Sequence, residues 1–153
     1  MPTVRPSPAP SVNQVDTHYL ESLVGYNARR AALVIIELFL QRMAVYELRP
    51  VEFSVVSLIA HNPGITSRQL CSTLGILPPN LVGMVNTLEK RGLIAKRPHP
   101  SDGRATGLHP TLPGEALMQK AEKTALDLEE KATERLTAAE RKTLIRLLKK
   151  VYL

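Results

Sequence analysis

The sequence predicts a mainly α-helical fold that carries one small β-hairpin. Three observations lead there. Apolar residues recur at helical spacing through most of the 153 residues. Two short helical patterns follow one another across a turn that holds Gly75, Pro78 and Pro79. Two strand-like runs flank a Pro-, Ser- and Gly-containing loop at residues 98–103. With 44% hydrophobic and 22% charged residues, the chain has the balance of a globular protein that buries one core.

The elements follow in order. Residues 1–14 hold Pro2, Pro6, Pro8 and Pro10 among small and polar residues, a composition that supports neither a helix nor enough apolar burial to order itself, so a disordered arm is expected. From Asp16, an N-cap residue type, to Glu47 there is no proline. Leu20, Leu23, Val24, Ala31, Val34, Ile35, Leu38 and Met43 recur with helical spacing and predict one long first helix. Over residues 31–40 that helix is apolar nearly all round, which predicts a second subunit covering part of it. Pro50 suits the first turn of a second helix, with Val51, Phe53, Val55, Val56, Leu58 and Ile59 as its apolar residues and Asn62-Pro63-Gly64 as its stop.

Thr66 with Gln69 forms a capping box for a short helix that ends at Gly75, with Leu70, Cys71 and Leu74 facing inward. Pro78 and Pro79 start the next, which runs through Leu81, Met84, Val85 and Leu88 to Gly92. Residues 93–97 are strand-like and residues 104–109 can return as a second strand, giving a hairpin wing. Thr111 can cap a long helix with Ala116, Leu117, Ala121, Ala125 and Leu128 on its apolar side. Thr137 and Glu140 box the last helix, whose stripe of Leu144, Leu147, Leu148 and Val151 exceeds what a monomer needs at its terminus. The expected organisation is therefore a helical dimerisation module from residues 15–48 and 112–153, around a winged helix-turn-helix lobe at residues 49–111.

Charge is unevenly placed. Residues 65–111 hold Arg68, Lys90, Arg91, Lys96, Arg97 and Arg104 against Glu89 and Asp102, a net +4 of the chain's +6. A clustered positive block on a helix pair and a wing suits a polyanionic partner, double-stranded DNA. The exposed face of the second short helix would show Pro79, Asn80, Val82, Gly83, Asn86, Thr87 and Lys90, of which Asn80, Asn86 and Thr87 can hydrogen-bond base edges and Lys90 can reach phosphate. An ordinary solvated helix would show the same residues. Arg97, Ser101, Asp102 and Arg104 lie in the wing, where an arginine can enter the negative minor groove.

Other classes find less support. No nucleophile with a base, paired acids or phosphate-cradling glycine loop marks an enzyme. One cysteine and four histidines without paired spacing give no metal site, and no cofactor is assigned. Two Phe, four Tyr and no Trp disfavour stacking on single-stranded nucleic acid. The longest apolar stretch is too short to span a bilayer and contains Glu37, and no secretory signal is evident, so a cytoplasmic protein is expected.

Residues 65–118 carry, in order, Thr66, Gln69-Leu70, Leu74-Gly75, Leu88-Glu89-Lys90-Arg91-Gly92-Leu93-Ile94, Ser101-Asp102-Gly103-Arg104, Thr111 and Gly114. In this combination the chain resembles the multiple-antibiotic-resistance regulator (MarR) family, and the flanking helices extend the resemblance to residues 16–153. It implies a homodimer whose terminal helices interlock and whose two winged lobes read a pseudo-palindromic operator. It further implies that residues 78–91 form the recognition helix, that Ser67 and Arg68 meet phosphate, and that Arg104 enters the minor groove with Asp102 as its salt-bridge partner. The sequence departs from the family pattern at Val82 and Gly83, where many relatives have a hydroxyl and a basic residue; readout there is apolar contact with thymine methyls, or is absent.

The resemblance also implies release from DNA by a small aromatic carboxylate or coenzyme A thioester. His18, Tyr19, Tyr26, Arg29, Arg30 and Phe53 are the candidate lining residues. Arginine beside aromatic surface suits an anionic ligand; surface ion pairing with Glu21 or Glu37 is the alternative for the two arginines. Two further readings stay open, a winged-helix scaffold that docks protein and a regulator that senses oxidation through Cys71. For Cys71, between Leu70 and Leu74, a packing role is the simpler one.

Overall fold

The computed structural model describes residues 11–153. The four prolines of the expected N-terminal arm, and with them most of that expectation, lie outside the described residues. The chain divides into two compact units, one ending at Leu33 and the other spanning Val34–Leu153.

In the first unit the expected single helix is broken. Helix α1 covers His18–Glu21, and α2 begins afresh at Val24 and runs as Val24–Met43. The break has a local cause. Ser22 Oγ donates to the Tyr19 carbonyl at 2.7 Å, and the Ser22 and Leu23 N–H groups turn back to Tyr19 and Leu20 at 3.2 and 3.0 Å. Asn27 Nδ2 then donates at 2.7 Å to the Glu21 carbonyl, which a continuous helix would have bonded itself, and at 2.8 Å to the Leu23 carbonyl, which also accepts the Asn27 N–H at 3.2 Å. Asp16 does receive the His18 N–H at 2.9 Å, although Thr17 holds the N-cap position.

The second unit starts in α2, which passes into a 3₁₀ turn at Ala44–Tyr46 rather than continuing as α-helix to Glu47; Glu47 itself is left-handed, at φ 52°. Helix α3 (Pro50–His61) starts on the expected proline. There follow strand β1 (Ile65–Thr66), α4 (Ser67–Leu74), α5 (Pro78–Lys90), β2 (Ile94–Pro98), β3 (Thr106–Pro110), α6 (Leu112–Ala132) and α7 (Ala138–Tyr152). The sheet is antiparallel in the order β1-β3-β2, with Leu108 facing Ile65 on one side and Lys96 on the other. Strand β1 is the element that the sequence does not announce, because two residues carry no periodicity. The return strand begins at Thr106 instead of Arg104, so Arg104 lies in the loop.

One core joins these pieces. Met43, Val55, Val56, Ile59, Leu70, Leu81, Leu88, Ile94, Leu108 and Met118 are all but fully buried, and Phe39 meets Phe53 edge-on at a centroid distance of 5.6 Å. Helix α6 is tied to α3 by one carboxylate, as Glu122 Oε1 accepts from Ser57 Oγ at 2.9 Å and pairs with His61 Nε2 at 2.7 Å.

The junction of β3 and α6 rests on Thr111. Its hydroxyl accepts from the Gly114 N–H at 3.1 Å, as an N-cap does, and donates to the Gly92 carbonyl. Thr111→Val keeps the shape and removes both bonds, and is expected to lower stability by about 1–2 kcal/mol in urea denaturation.

Helix α7 has its capping box, with Glu140 N–H on Thr137 Oγ1 at 3.2 Å and Thr137 N–H on Glu140 Oε2 at 2.7 Å. The Thr137 N–H and hydroxyl hold the Glu140 carboxyl below its ordinary range. The support this gives the helix is therefore complete above the ordinary carboxylate range, and is lost as pH falls through the lowered value. None of the residues of α7 is buried. Leu144, Ile145, Leu147, Leu148 and Val151 all lie exposed along it.

Candidate nucleic-acid interface

Helices α4 and α5 form the expected pair. The box of Thr66 and Gln69 opens α4, with Gln69 N–H on Thr66 Oγ1 at 3.3 Å and Thr66 N–H on Gln69 Oε1 at 2.9 Å. Gly75, at φ +64°, turns its N–H back to the Cys71 carbonyl, an αL cap that a residue with a side chain would adopt with strain. Pro78 and Pro79 then occupy the first turn of α5. That helix buries Leu81, Val85 and Leu88, with Met84 half-buried. Pro79, Asn80, Val82, Gly83, Asn86, Thr87 and Lys90 are exposed, as read from the sequence.

Several of these polar groups already have partners. Thr87 Oγ1 donates to the Gly83 carbonyl at 3.0 Å. Lys96 Nζ donates to Asn86 Oδ1 at 2.9 Å and pairs with Glu89 at 3.0 Å, pinning β2 to α5. Arg91 is half-buried, its guanidinium donating to the Tyr46 and Glu47 carbonyls at 2.8 Å each. The block's net +4 is unchanged by these contacts, since it already includes Glu89 and a neutral carbonyl leaves the Arg91 charge in place. Arg68, Lys90, Arg97 and Arg104 are exposed and take part in none of the ion pairs among the described residues, while Lys96 is exposed but paired.

In the wing, Asp102 Oδ1 accepts from the backbone N–H of Arg104 at 3.0 Å, and the Asp102 carbonyl accepts from the Ala105 N–H at 3.0 Å. The salt bridge implied by the resemblance is not among the ion pairs of the described residues. A short aspartate side chain reaches the N–H two residues on more readily than a guanidinium, and shapes the tip as an Asx turn. Where the wing loop leaves the strands, His99 N–H donates to the Ala105 carbonyl at 2.9 Å, while Ser101 N–H and Oγ meet His99 Nδ1 at 3.3 and 3.1 Å. His99 was missed as a wing-shaping residue. An open cleft of about 750 Å³ between the start of α4 and the wing brings together Ser67 and Arg68 with Asp102 and Arg104.

The candidate ligand residues fall in different units. His18, Tyr19, Tyr26, Arg29 and Arg30 belong to the first, where Tyr26 is half-buried and the others are exposed; Phe53 belongs to the second and is half-buried against Phe39. Neither arginine takes part in the ion pairs among the described residues. Cys71 is half-buried and packs against the core. Among the described residues no group of three or more His, Cys, Asp or Glu is placed to hold a metal ion, and no helix is long and apolar enough to cross a membrane.

A sequence profile described as the MarR family matches residues 46–105. A protein described as the transcriptional regulator for the hcr operon of Thauera aromatica is 32% identical over 130 residues, 84% of this chain and 78% of that protein. The chain belongs to the MarR family. Among solved structures, the repressor CouR bound to a 23-mer DNA duplex aligns with a TM-score of 0.86 and 36% identity, over 92% of this chain and all of that one. CouR from Rhodococcus jostii RHA1 bound to p-coumaroyl-CoA, at 23% identity and a TM-score of 0.79 over 86% of this chain and 93% of that one, shows the shared fold. The protein is thus a transcriptional regulator of the MarR type that binds DNA, with α4 and α5 as its MarR helix-turn-helix and the β2–β3 hairpin as its wing.

Proposed function

We propose that the protein is a ligand-responsive repressor that binds a pseudo-palindromic operator as a homodimer. Residues 49–111 are the DNA-binding lobe, and residues 15–48 and 112–153 the dimerisation module. The observation that carries the reading is the cleft where Ser67 and Arg68 at the start of α4 face Arg104 of the wing, alongside the exposed face of α5. Helix α5 would lie in the major groove, Ser67 and Arg68 would hold phosphate, and Arg104 would reach the adjacent minor groove. The exposed apolar stripe of α7 supports the dimer.

The test is binding to fluorescent duplex from the gene's own upstream intergenic region, at two salt concentrations and against scrambled competitor. Tight, competitor-resistant binding that weakens with salt is expected. Binding without preference over scrambled duplex would refute a specific regulator of that region and favour the protein-docking alternative. In the same assay Arg104→Ala is expected to weaken binding by about 1–3 kcal/mol while leaving the oligomeric state unchanged. Unchanged affinity would remove the wing from the interface.

The effector we propose is a small aromatic carboxylate or its coenzyme A thioester; His18, Tyr19, Tyr26, Arg29 and Arg30 are its candidate contacts in the first unit, and Phe53 is the candidate in the second. The CouR complex with p-coumaroyl-CoA supports this choice of chemistry. p-Coumarate and p-coumaroyl-CoA are the first probes, and release of bound duplex is the readout.

A further inference from the structure

Helix α5 departs from helix-forming sequence at two adjacent outward positions. Val82 is 57% exposed, and Gly83 follows it in mid-helix. The fold asks for neither. Gly83 is not among the glycines of positive φ, and a Cβ built on it would meet nothing within 4 Å. A β-branched residue followed by glycine lowers helix propensity at a place where nothing inside the protein gains from it. Such a local departure without an internal reason is characteristic of a surface shaped for an external contact.

The surrounding polar groups narrow the kind of contact. The Thr87 hydroxyl donates to the Gly83 carbonyl, and Asn86 Oδ1 is held by Lys96, itself paired with Glu89. Much of the hydrogen-bonding capacity at the centre of α5 is thereby committed within the protein. What remains outward there is an isopropyl group beside a stretch of bare helix backbone. In the major groove the apolar feature that distinguishes one base from the others is the C5-methyl of thymine. We infer that Val82 reads a thymine methyl in each half-site, and that Gly83 has no side chain because the contact requires the helix backbone to come close to the DNA. This rests on α5 being the recognition helix.

The experiment selects binding sequences for the wild-type protein from a random-sequence duplex library, then replaces each thymine of the enriched duplex in turn by deoxyuridine, which removes only the methyl. At one position in each half-site the wild-type protein is expected to bind about fourfold more weakly per methyl lost. Val82→Ala is expected to bind the thymine and uracil duplexes alike. Gly83→Ala is expected to melt at a higher temperature than wild type and yet to bind the enriched duplex several-fold more weakly, a pairing that a merely structural glycine would not give. Indifference of the wild-type protein to every uracil, or a Val82→Ala protein that still distinguishes the two duplexes or binds neither, overturns the methyl contact. A Gly83→Ala protein that binds as tightly as wild type overturns the close approach. A library that enriches no sequence overturns the DNA-binding role of α5 itself, and so differs visibly from an enriched sequence that ignores its methyls.

Discussion

Gly114→Ala is expected to destabilise the protein by about 3 kcal/mol, more than removal of many whole side chains would. Gly114 is buried in the first turn of α6, and a Cβ there would lie inside the van der Waals envelope of the Leu93 carbonyl, with the Leu93 carbonyl carbon at 2.9 Å and its Cα at 3.3 Å. The obstruction is backbone, so no rotamer change relieves it. Moving α6 away would break the Thr111 cap and, with it, the bond from the Thr111 N–H to the Leu93 carbonyl at 3.1 Å. Strand β2 starts at the next residue, Ile94, so the wing would shift as well. A urea titration of the variant measures the loss. An unchanged midpoint would mean that the Gly92–Leu93 segment yields freely, and that the close approach is incidental.

The second large effect concerns α7. Leu144→Glu together with Leu148→Glu is expected to turn the proposed dimer into a monomer and to weaken operator binding by at least about 100-fold, since the second half-site would no longer be bound at high effective concentration. Both leucines are exposed in the single chain, one helical turn apart, so in a monomer the substitution would be nearly neutral. In a dimer it would place carboxylates in an apolar interface, where their desolvation has no compensation. Sedimentation equilibrium decides. A wild-type protein that sediments as a monomer, or a doubly substituted one that stays dimeric, refutes the assignment of α7 to the interface; retained helicity by circular dichroism guards against misfolding.

Caps were legible in the sequence because their chemistry is local. Thr66 with Gln69, Thr111, and Thr137 with Glu140 each satisfy helix ends from within three residues, so residue type at fixed spacing was enough. The outward face of α5 was legible for a similar reason, since burial of Leu81, Val85 and Leu88 follows from helical period. The break after α1 was not, because it depends on the Asn27 amide reaching back six residues to the Glu21 carbonyl. Strand β1 exists only through pairing with Gly107 and Leu108, far along the chain. The fate of Arg91 was hidden likewise, for its partners are two carbonyls in a turn that no spacing rule connects to α5. At Asp102 a short-range turn prevailed over the ion pair that the family resemblance implied.

Tyr46 has a mechanical consequence. Its hydroxyl is anchored to Thr124 of α6 at 2.9 Å, and its carbonyl is one of the two that hold Arg91 at the end of α5. A single amino acid thus works as a strut, with one foot on α6 and the other on α5. Three hydrogen bonds, two of them from one guanidinium, run along that line beside the core that α5 and α6 share. A tilt of α5 against α6 would load these same few bonds.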